Sequence, residues 1–271
     1  MQEKVKIAWQ GKHFGEEPVF VGTEKQGAGG IFFSGCNLHC VFCQNYQISQ
    51  QGVGRDYTIE QLAEIMLGLQ KQEAINIDLV SPTIWWQQIK QAIILARQQG
   101  LTLPIVWNSN AQESVLLLQQ MRGLVDIYLP DFKYADDILA QQLSASGQYS
   151  TLAQLAIAEM LQQVGTASLD KPTSTKGVLI RHLIIPNHLD NSKKVLQMIH
   201  DHFSGTPVSL MSQYYPCYQA YLIPEINRLL TRAEYQEVLD YYQQLNLSGF
   251  EQEYGSGKFF LPDFTKKNPF Q

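Results

Sequence analysis

Three of the chain's four cysteines fall within eight residues, as Cys36-x3-Cys40-x2-Cys43. They follow directly on an apolar run, Ile31-Phe32-Phe33, that reads as a strand. Thiolates are metal ligands, and three on one short loop can converge on a single inorganic centre. Two centres compete. Structural zinc takes four ligands, commonly in two short pairs separated by a longer gap. Here there is one triplet, and Cys217 stands far away and isolated. An iron–sulfur cube takes one thiolate per iron. Three thiolates would leave one iron open, and an open position is what separates catalytic metal sites from structural ones. A disulfide framework suits neither an odd triplet nor a chain whose first residues lack the layout of a signal peptide. The spacing thus leaves a cube with an open iron, or a zinc. Cys217 reads as a small buried hydrophobe.

The elements that must position this loop alternate in type. Strands are expected at 30–34, 75–80, 104–107, 124–129, 178–185 and 207–211. Helices fall between them, at about 59–69, 85–99, 113–121, 136–143, 151–164 and 190–203, and a last one follows at about 232–245. Thr58-Ile59-Glu60-Gln61 and Thr231-Arg232-Ala233-Glu234 are capping boxes, Asp190 is a candidate cap, and Trp85 and Trp86 pack a helix start. Strand–helix alternation implies a parallel sheet with right-handed crossovers. Six such units are too few to close an eight-fold barrel. The expected fold is α/β, an open, partial (β/α)6 barrel.

In such folds chemistry gathers at the carboxyl ends of the strands. Read in order, those ends deliver Cys36, Cys40 and Cys43, then Ser81 and Thr83, then Asn108, Ser109 and Asn110, then Asp131 and Lys133, then Gln213 and Tyr214. One rim would carry a metal site, hydroxyls, amides and an acid–base pair. That suits a ligand with an adenine, a ribose, an amino group and a carboxylate. His39 reads as solvated or bonded to backbone, and His13 with Glu16 and Glu17 as either a metal or substrate site or a structural turn.

The string Phe32-Phe33-Ser34-Gly35-Cys36-Asn37-Leu38-His39-Cys40-Val41-Phe42-Cys43-Gln44-Asn45, with an aromatic residue before the third cysteine, resembles the radical S-adenosylmethionine (SAM) superfamily. It is most similar to the pyruvate formate-lyase activating enzyme branch, and within it to relatives with the upstream string seen here as His13-Phe14-Gly15-Glu16-Glu17-Pro18. The resemblance spans roughly residues 13–250. It implies the same partial barrel and, as cofactors, a [4Fe-4S] cluster on Cys36, Cys40 and Cys43 with SAM on the open iron. It implies reductive cleavage of SAM to a 5′-deoxyadenosyl radical that takes hydrogen from a substrate. Lys133 joins the cysteines as a catalytic candidate, and Phe42, Ser81, Thr83, Asn108, Asp131, Lys133 and Arg181 are the cofactor-binding candidates. Asp131-Phe132-Lys133 resembles the family's Asp-Leu-Lys near the ribose and carboxylate, and Arg181 would face a carboxylate of SAM or substrate. Asn108-Ser109-Asn110-Ala111 stands where the family has Asp-Thr-Asn-Gly, and Val80-Ser81-Pro82-Thr83 replaces the Gly-Gly-Glu that holds the SAM amino group. The implied partners are a reductant such as flavodoxin or ferredoxin and, for an activase, a glycyl-radical enzyme. The alternatives are a small-molecule or peptide substrate, or a non-catalytic iron–sulfur or zinc protein.

Composition sets the outer limits. The chain has 271 residues and a formal net charge of −5, without a lysine- or arginine-rich run, which argues against nucleic acid. No apolar run reaches the ~18 residues of a membrane span. Clustered thiols suit a reducing cytoplasm. The expected layout is an N-terminal extension over 1–28, a barrel core over 29–213, and a helix with an irregular cover over 214–271.

Overall fold

A computed structural model describes residues 4–23, 25–257 and 261–270. The readings above that fall on residues 1–3, 24, 258–260 and 271 lie outside the described residues. Ten strands are present among the described residues: β1 (Lys4–His13), β2 (Ala28–Phe33), β3 (Arg55–Thr58), β4 (Ile77–Val80), β5 (Ile105–Ser109), β6 (Ile127–Pro130), β7 (Gly177–Val178), β8 (Ile180–Leu183), β9 (Val208–Met211) and β10 (Gly249–Glu251). The helices are α1 (Pro18–Val21), α2 (Tyr46–Ser49), α3 (Ile59–Lys71), α4 (Trp86–Gln98), α5 (Val115–Met121), α6 (Asp137–Ser144), α7 (Tyr149–Val164), α8 (Leu189–His202) and α9 (Arg232–Gln244).

One sheet runs β3-β1-β2-β4-β5-β6-β7 and a second runs β10-β9-β8. From β2 onward every pairing is parallel. The two sheets meet where Leu179 separates β7 from β8. There Leu179 N–H donates to Tyr128 O at 3.1 Å and Phe132 N–H donates to Arg181 O at 2.8 Å, so β8 continues the ladder beside β6. The mostly parallel α/β sheet is the expected one, and all six expected strands are present, the fifth in two pieces.

The alternation of side chains along the strands divides the core. Ile77, Leu79, Ile105, Trp107 and Tyr128 point outward into the cluster shared with the helices. Val106, Ile127, Leu129 and Leu179 point inward and form a separate cluster with Val19 and Phe20 of α1. Helix α1 is thus a plug on the concave side of the sheet. It begins at Pro18, whose missing N–H costs nothing at a helix start. Asn76 Nδ2 donates to Phe20 O at 2.8 Å and pins it.

Several expectations change. Ahead of the cysteine loop the chain joins the sheet: β1 pairs antiparallel with β2 on one side and β3 on the other, and α1 enters the concavity. The signal for β1 is plain, since Val5 and Ile7 alternate with Lys4 and Lys6, and only the two apolar residues are buried. Asp190 sits in the first turn of α8 rather than at its cap, which is His188. Both capping boxes form with reciprocal bonds.

The plug gives a stability prediction. Phe20 is 1% exposed among four inward-facing aliphatic residues. Phe20→Ala should destabilise the fold by about 3–5 kcal/mol, measured by chemical denaturation. A loss below about 1 kcal/mol would mean that α1 is not packed into the concavity.

Candidate active site

Gly35 turns the chain out of β2 into the cysteine loop with φ +90°, a conformation that L side chains rarely adopt. A cavity of about 780 Å³ opens beyond it. Cys36, Cys40 and Cys43 all line this cavity, as do Phe42, Ser81, Asn108, Asp131, Lys133 and Arg181. Nine of the ten expected site residues therefore share one space. The tenth, Thr83, turns away from it. Its hydroxyl donates to Glu113 Oε1 at 2.6 Å, and that buried carboxylate also accepts from Trp107 Nε1 at 3.4 Å.

Each thiol has a polar neighbour. Asn110 Nδ2 donates to Cys36 Sγ at 3.4 Å, Ser144 Oγ donates to Cys40 Sγ at 3.0 Å, and Ser49 Oγ lies 3.2 Å from Cys43 Sγ. Burial, with the neighbouring Cys40 charge, pushes the Cys36 thiol up to about 11 and the Cys43 thiol up to about 12. All four cysteines are free thiols, and Cys217 is half-buried, with its Sγ 3.4 Å from Cys43 O behind the loop. His39 is exposed, and its N–H donates to Ser144 O. Among the described residues no three His, Cys, Asp or Glu side chains stand close enough to hold a single ion. Zinc would need its thiolates gathered round one centre, whereas a cube spreads them over three irons.

Opposite the thiols, four carboxyl groups surround one guanidinium. Arg181 Nε donates to Asp131 Oδ1 at 2.9 Å, Nη1 donates to Glu16 Oε2 at 2.9 Å, and Nη2 donates to Asn108 Oδ1. Each guanidinium nitrogen therefore already faces a protein acceptor. Two of the five guanidinium N–H groups remain free of a protein acceptor among the described residues, and so do two of the three donors of Lys133, whose Nζ donates to Asp131 Oδ2 at 2.7 Å. Burial works against both charges. For Asp131 it is outweighed by Lys133 and Arg181, which hold the carboxyl below its usual range. For Lys133 it is outweighed by Asp131 and Cys40, which raise the ammonium.

At Asp78 and Glu17 the Arg181 charge does not outweigh burial. Asp78 is 1% exposed, and neither of its carboxylate oxygens has a hydrogen-bond donor. Burial first, then the charge of Glu16, raises it well above its ordinary value. It stands within bonding reach of Glu16 and Asn108, and contact between two carboxyls is favourable when one carries a proton. Glu17 is raised by burial as well, and its Oε2 lacks a partner. His13 lies 3.6 Å from Glu16, but burial lowers it to about 4, so the contact is no ion pair at neutral pH.

Two residues beside the strand ends hold a backbone conformation unusual for them. Ser81 and Ala111 hold φ +57° and +61°, the left-handed region where glycine is most at ease.

Some participants were invisible in the sequence. The buried Tyr149 hydroxyl accepts from Lys133 N–H at 2.9 Å and reaches the carbonyls of Asn110 and Asp131, tying the ends of β5 and β6 together. Asn191 of α8 donates to Lys133 O at 2.9 Å. Near the mouth, Gln47 accepts from Phe264 N–H at 2.7 Å, and Phe270 packs 4.4 Å from His13 and 5.2 Å from Phe32. Pro262, Asn268 and Phe270 so become part of the cavity wall. No sequence period announces this part of the wall.

A family model described as the Radical SAM superfamily matches residues 31–203. An uncharacterised protein of Methanocaldococcus jannaschii, MJ0674, is 31% identical over 245 residues, 87% of this chain and 66% of its own length. A second from that organism, MJ0808, is 24% identical over 82% of this chain and 65% of its length. The chain thus spans just under two thirds of these relatives. Among solved structures, a radical SAM methyltransferase from Sphaerobacter thermophilus superposes with TM-score 0.58 at 13% identity, covering 90% of this chain and 70% of that one. SuiB of Streptococcus suis bound to its precursor peptide SuiA gives 0.54 at 12%, over 84% and 49%. The anSMEcpe enzyme with AdoMet and a peptide gives 0.55 at 10%, over 80% and 60%. At these identities the structures attest the fold alone.

The buried carboxyls give a pH prediction. A carboxyl whose folded pKa is raised binds more protons folded than unfolded, so stability falls as pH rises from the ordinary carboxylate range through the raised value. Asp131 has the opposite sign, and its contribution is lost only as pH drops below that range. Asp78→Asn should therefore stabilise the chain at pH 7 and flatten the fall in stability between about pH 4 and 7, read from denaturation midpoints across that range. A variant less stable at pH 7 than at pH 4, with the slope unchanged, would rule out Asp78 as its source.

Proposed function

Because this chain belongs to the radical SAM superfamily, whose members use a [4Fe-4S] cluster and SAM, we propose that its cavity holds both and that the enzyme removes a hydrogen atom from a polypeptide substrate. In the most concrete version the substrate is a glycine of a partner enzyme, making this an activase of the pyruvate formate-lyase activating type. When bound, the cluster supplies one electron to SAM, and the cleaved adenosyl group takes the hydrogen; the protein's part is binding, orientation and exclusion of water.

The observation that carries the reading is the meeting of three free thiols, Asp131 and Lys133 in one cavity. Cys36, Cys40 and Cys43 would hold three irons. Lys133, with donors to spare, is the side chain we assign to the SAM carboxylate. Arg181 spends three of its five N–H groups on Asp131, Glu16 and Asn108 and so orients Asp131; its two remaining N–H groups, at the cavity wall, are the proposed contact for a carboxylate of SAM or substrate. Without a Gly-Gly-Glu motif, Ser81 and its backbone are left to meet the amino group; Thr83 is committed to Glu113. Phe42 is buried against Tyr214, with ring centroids 5.6 Å apart, and offers an apolar edge for the adenine. A one-electron carrier such as flavodoxin or ferredoxin is the proposed reductant. No described helix is long and apolar enough to cross a membrane.

Two of the structural neighbours are complexes with peptides, which supports a peptidyl substrate. The segment 261–270 favours a second reading. It walls part of the cavity, and an enclosed space suits a small molecule better than a protein loop.

Anaerobic reconstitution with iron and sulfide, reduction, and assay for 5′-deoxyadenosine tests the chemistry. Wild type should form it, and Cys40→Ser should lose both iron and product. Product absent from a fully loaded wild-type cluster would reduce the protein to an electron carrier, and a single zinc in place of iron would make it structural. Lys133→Met should weaken SAM binding to the reconstituted enzyme about tenfold to a hundredfold, as expected for losing a hydrogen bond to a charged group, by calorimetric titration. Unchanged affinity would remove Lys133 from the carboxylate.

A further inference from the structure

The end of α6 grips the cysteine loop from behind. His39 N–H donates to Ser144 O at 3.1 Å, and Val41 N–H donates to Leu143 O at 2.9 Å. From this docked position the Ser144 side chain meets Cys40 Sγ at 3.0 Å. The Tyr134 hydroxyl lies 2.6 Å from Ser144 Oγ. Ser144 and Tyr134 are both 0% exposed, so no solvent competes for either hydroxyl. The Tyr134 ring is held edge-on against Tyr149, with centroids 5.2 Å apart.

Counting protons sets the direction of these bonds. A serine hydroxyl has one proton to give and lone pairs to accept with. A cluster-bound cysteine sulfur has no proton and can only accept. Once Cys40 is a ligand, the Ser144 proton therefore points at sulfur. Tyr134 must then donate to Ser144 Oγ, and a hydroxyl that accepts a hydrogen bond is polarised into a better donor. The donors at the other two sulfurs are longer. Cys36 Sγ accepts from Asn110 Nδ2 and from Leu38 N–H, both at 3.4 Å. Ser49 Oγ lies 3.2 Å from Cys43 Sγ and accepts a 3.3 Å bond from Gln50 Nε2, against 2.6 Å between Tyr134 and Ser144. Cys40 has the shortest and most deeply buried donor.

We propose that Tyr134, Ser144 and Cys40 form a hydrogen-bond relay that makes the cluster easier to reduce, an inference that rests on reading Cys40 as a cluster ligand. Reduction adds one electron from the external one-electron carrier, with no bond made or broken, and part of the added negative charge resides on the sulfur ligands. A donor to one of those sulfurs stabilises the reduced state more than the oxidised one, and hydrogen bonds to the sulfurs are among the factors that set such potentials. Ser144 and Tyr134 are thus positioning residues: neither touches SAM or substrate.

The test is a redox titration with dithionite, followed by electron paramagnetic resonance, on anaerobically reconstituted protein without SAM. Ser144→Ala with full iron and sulfide content should reduce about tenfold less favourably, which for a one-electron couple is a potential about 59 mV more negative. Tyr134→Phe should shift the same way by less, and Ser144→Thr, which keeps a hydroxyl, should restore most of the loss. A fully loaded Ser144→Ala protein with the wild-type potential overturns the relay. Should Ser144→Ala fail to hold iron, Tyr134→Phe decides, because it keeps the ring in place: a wild-type potential there overturns the proposal equally. A wild-type chain that takes up no iron at all sinks instead the cluster reading beneath it.

Discussion

One buried guanidinium organises the molecule. Arg181 stands at the joint where two parallel ladders meet, and it reaches three elements at once: Asp131 at the end of β6, Asn108 on β5, and Glu16 ahead of the α1 plug. A buried charge that loses a partner costs several kcal/mol, although an intact buried pair adds little net stability over an apolar replacement. The value of Arg181 therefore lies in geometry. Its planar fork fixes directions that an ammonium could not, and each direction sets one wall of the cavity. Asp131, held on one side by Arg181, presents its other oxygen to Lys133, and Lys133 stands toward the thiols.

Charge accounting on this side of the cavity is incomplete without a proton. Glu16 and Asp131 are matched by Arg181 and Lys133, while Asp78 and Glu17 remain, both buried. Burial of an ionised carboxylate is costly enough that the group neutralises instead. A neutral Asp78 can donate to Glu16 and so support the acceptor that holds Arg181. The plug then has two attachments. Phe20 is held by apolar packing, and Glu16 by a polar chain running through Arg181 to the strand ends.

How much of this the sequence revealed follows from how local each feature is. The cysteine loop is fully local, and its spacing and aromatic residue were readable at once. The helices were readable because capping boxes and apolar faces are set by neighbours within a few residues, as Thr58 with Gln61 shows. The alternation in β1 was present too, but its role as a paired strand depends on β2 and β3 in the sheet. The Glu16–Arg181 bond joins residues 165 positions apart, and the Ser144–Cys40 bond joins residues 104 apart. No periodicity encodes such pairs; the register of the sheet and the landing of α6 create them. Thr83 shows the converse. A strand-end position suggested the cavity, yet Glu113, thirty residues on, drew its hydroxyl to the other side.

Backbone strain at Ser81 and Ala111 bears on how the edge of the site is held. An L residue in the left-handed region costs about 1–2 kcal/mol, and such positions persist only when their surroundings over-determine them. Here the surroundings are visible. Ser81 N–H donates to Asn108 O at 2.9 Å, and Ala111, fully buried, points its N–H at Ser109 Oγ at 3.3 Å. Both bonds tie the strained residue to β5, the strand whose Asn108 also accepts from Arg181. Relaxing either residue into an ordinary conformation would redirect the loop that edges the cavity beside Cys36, where Asn110 lies between the two strands' ends. The cost is thus held in place by contacts to β5, the strand that also supplies Asn108 to Arg181.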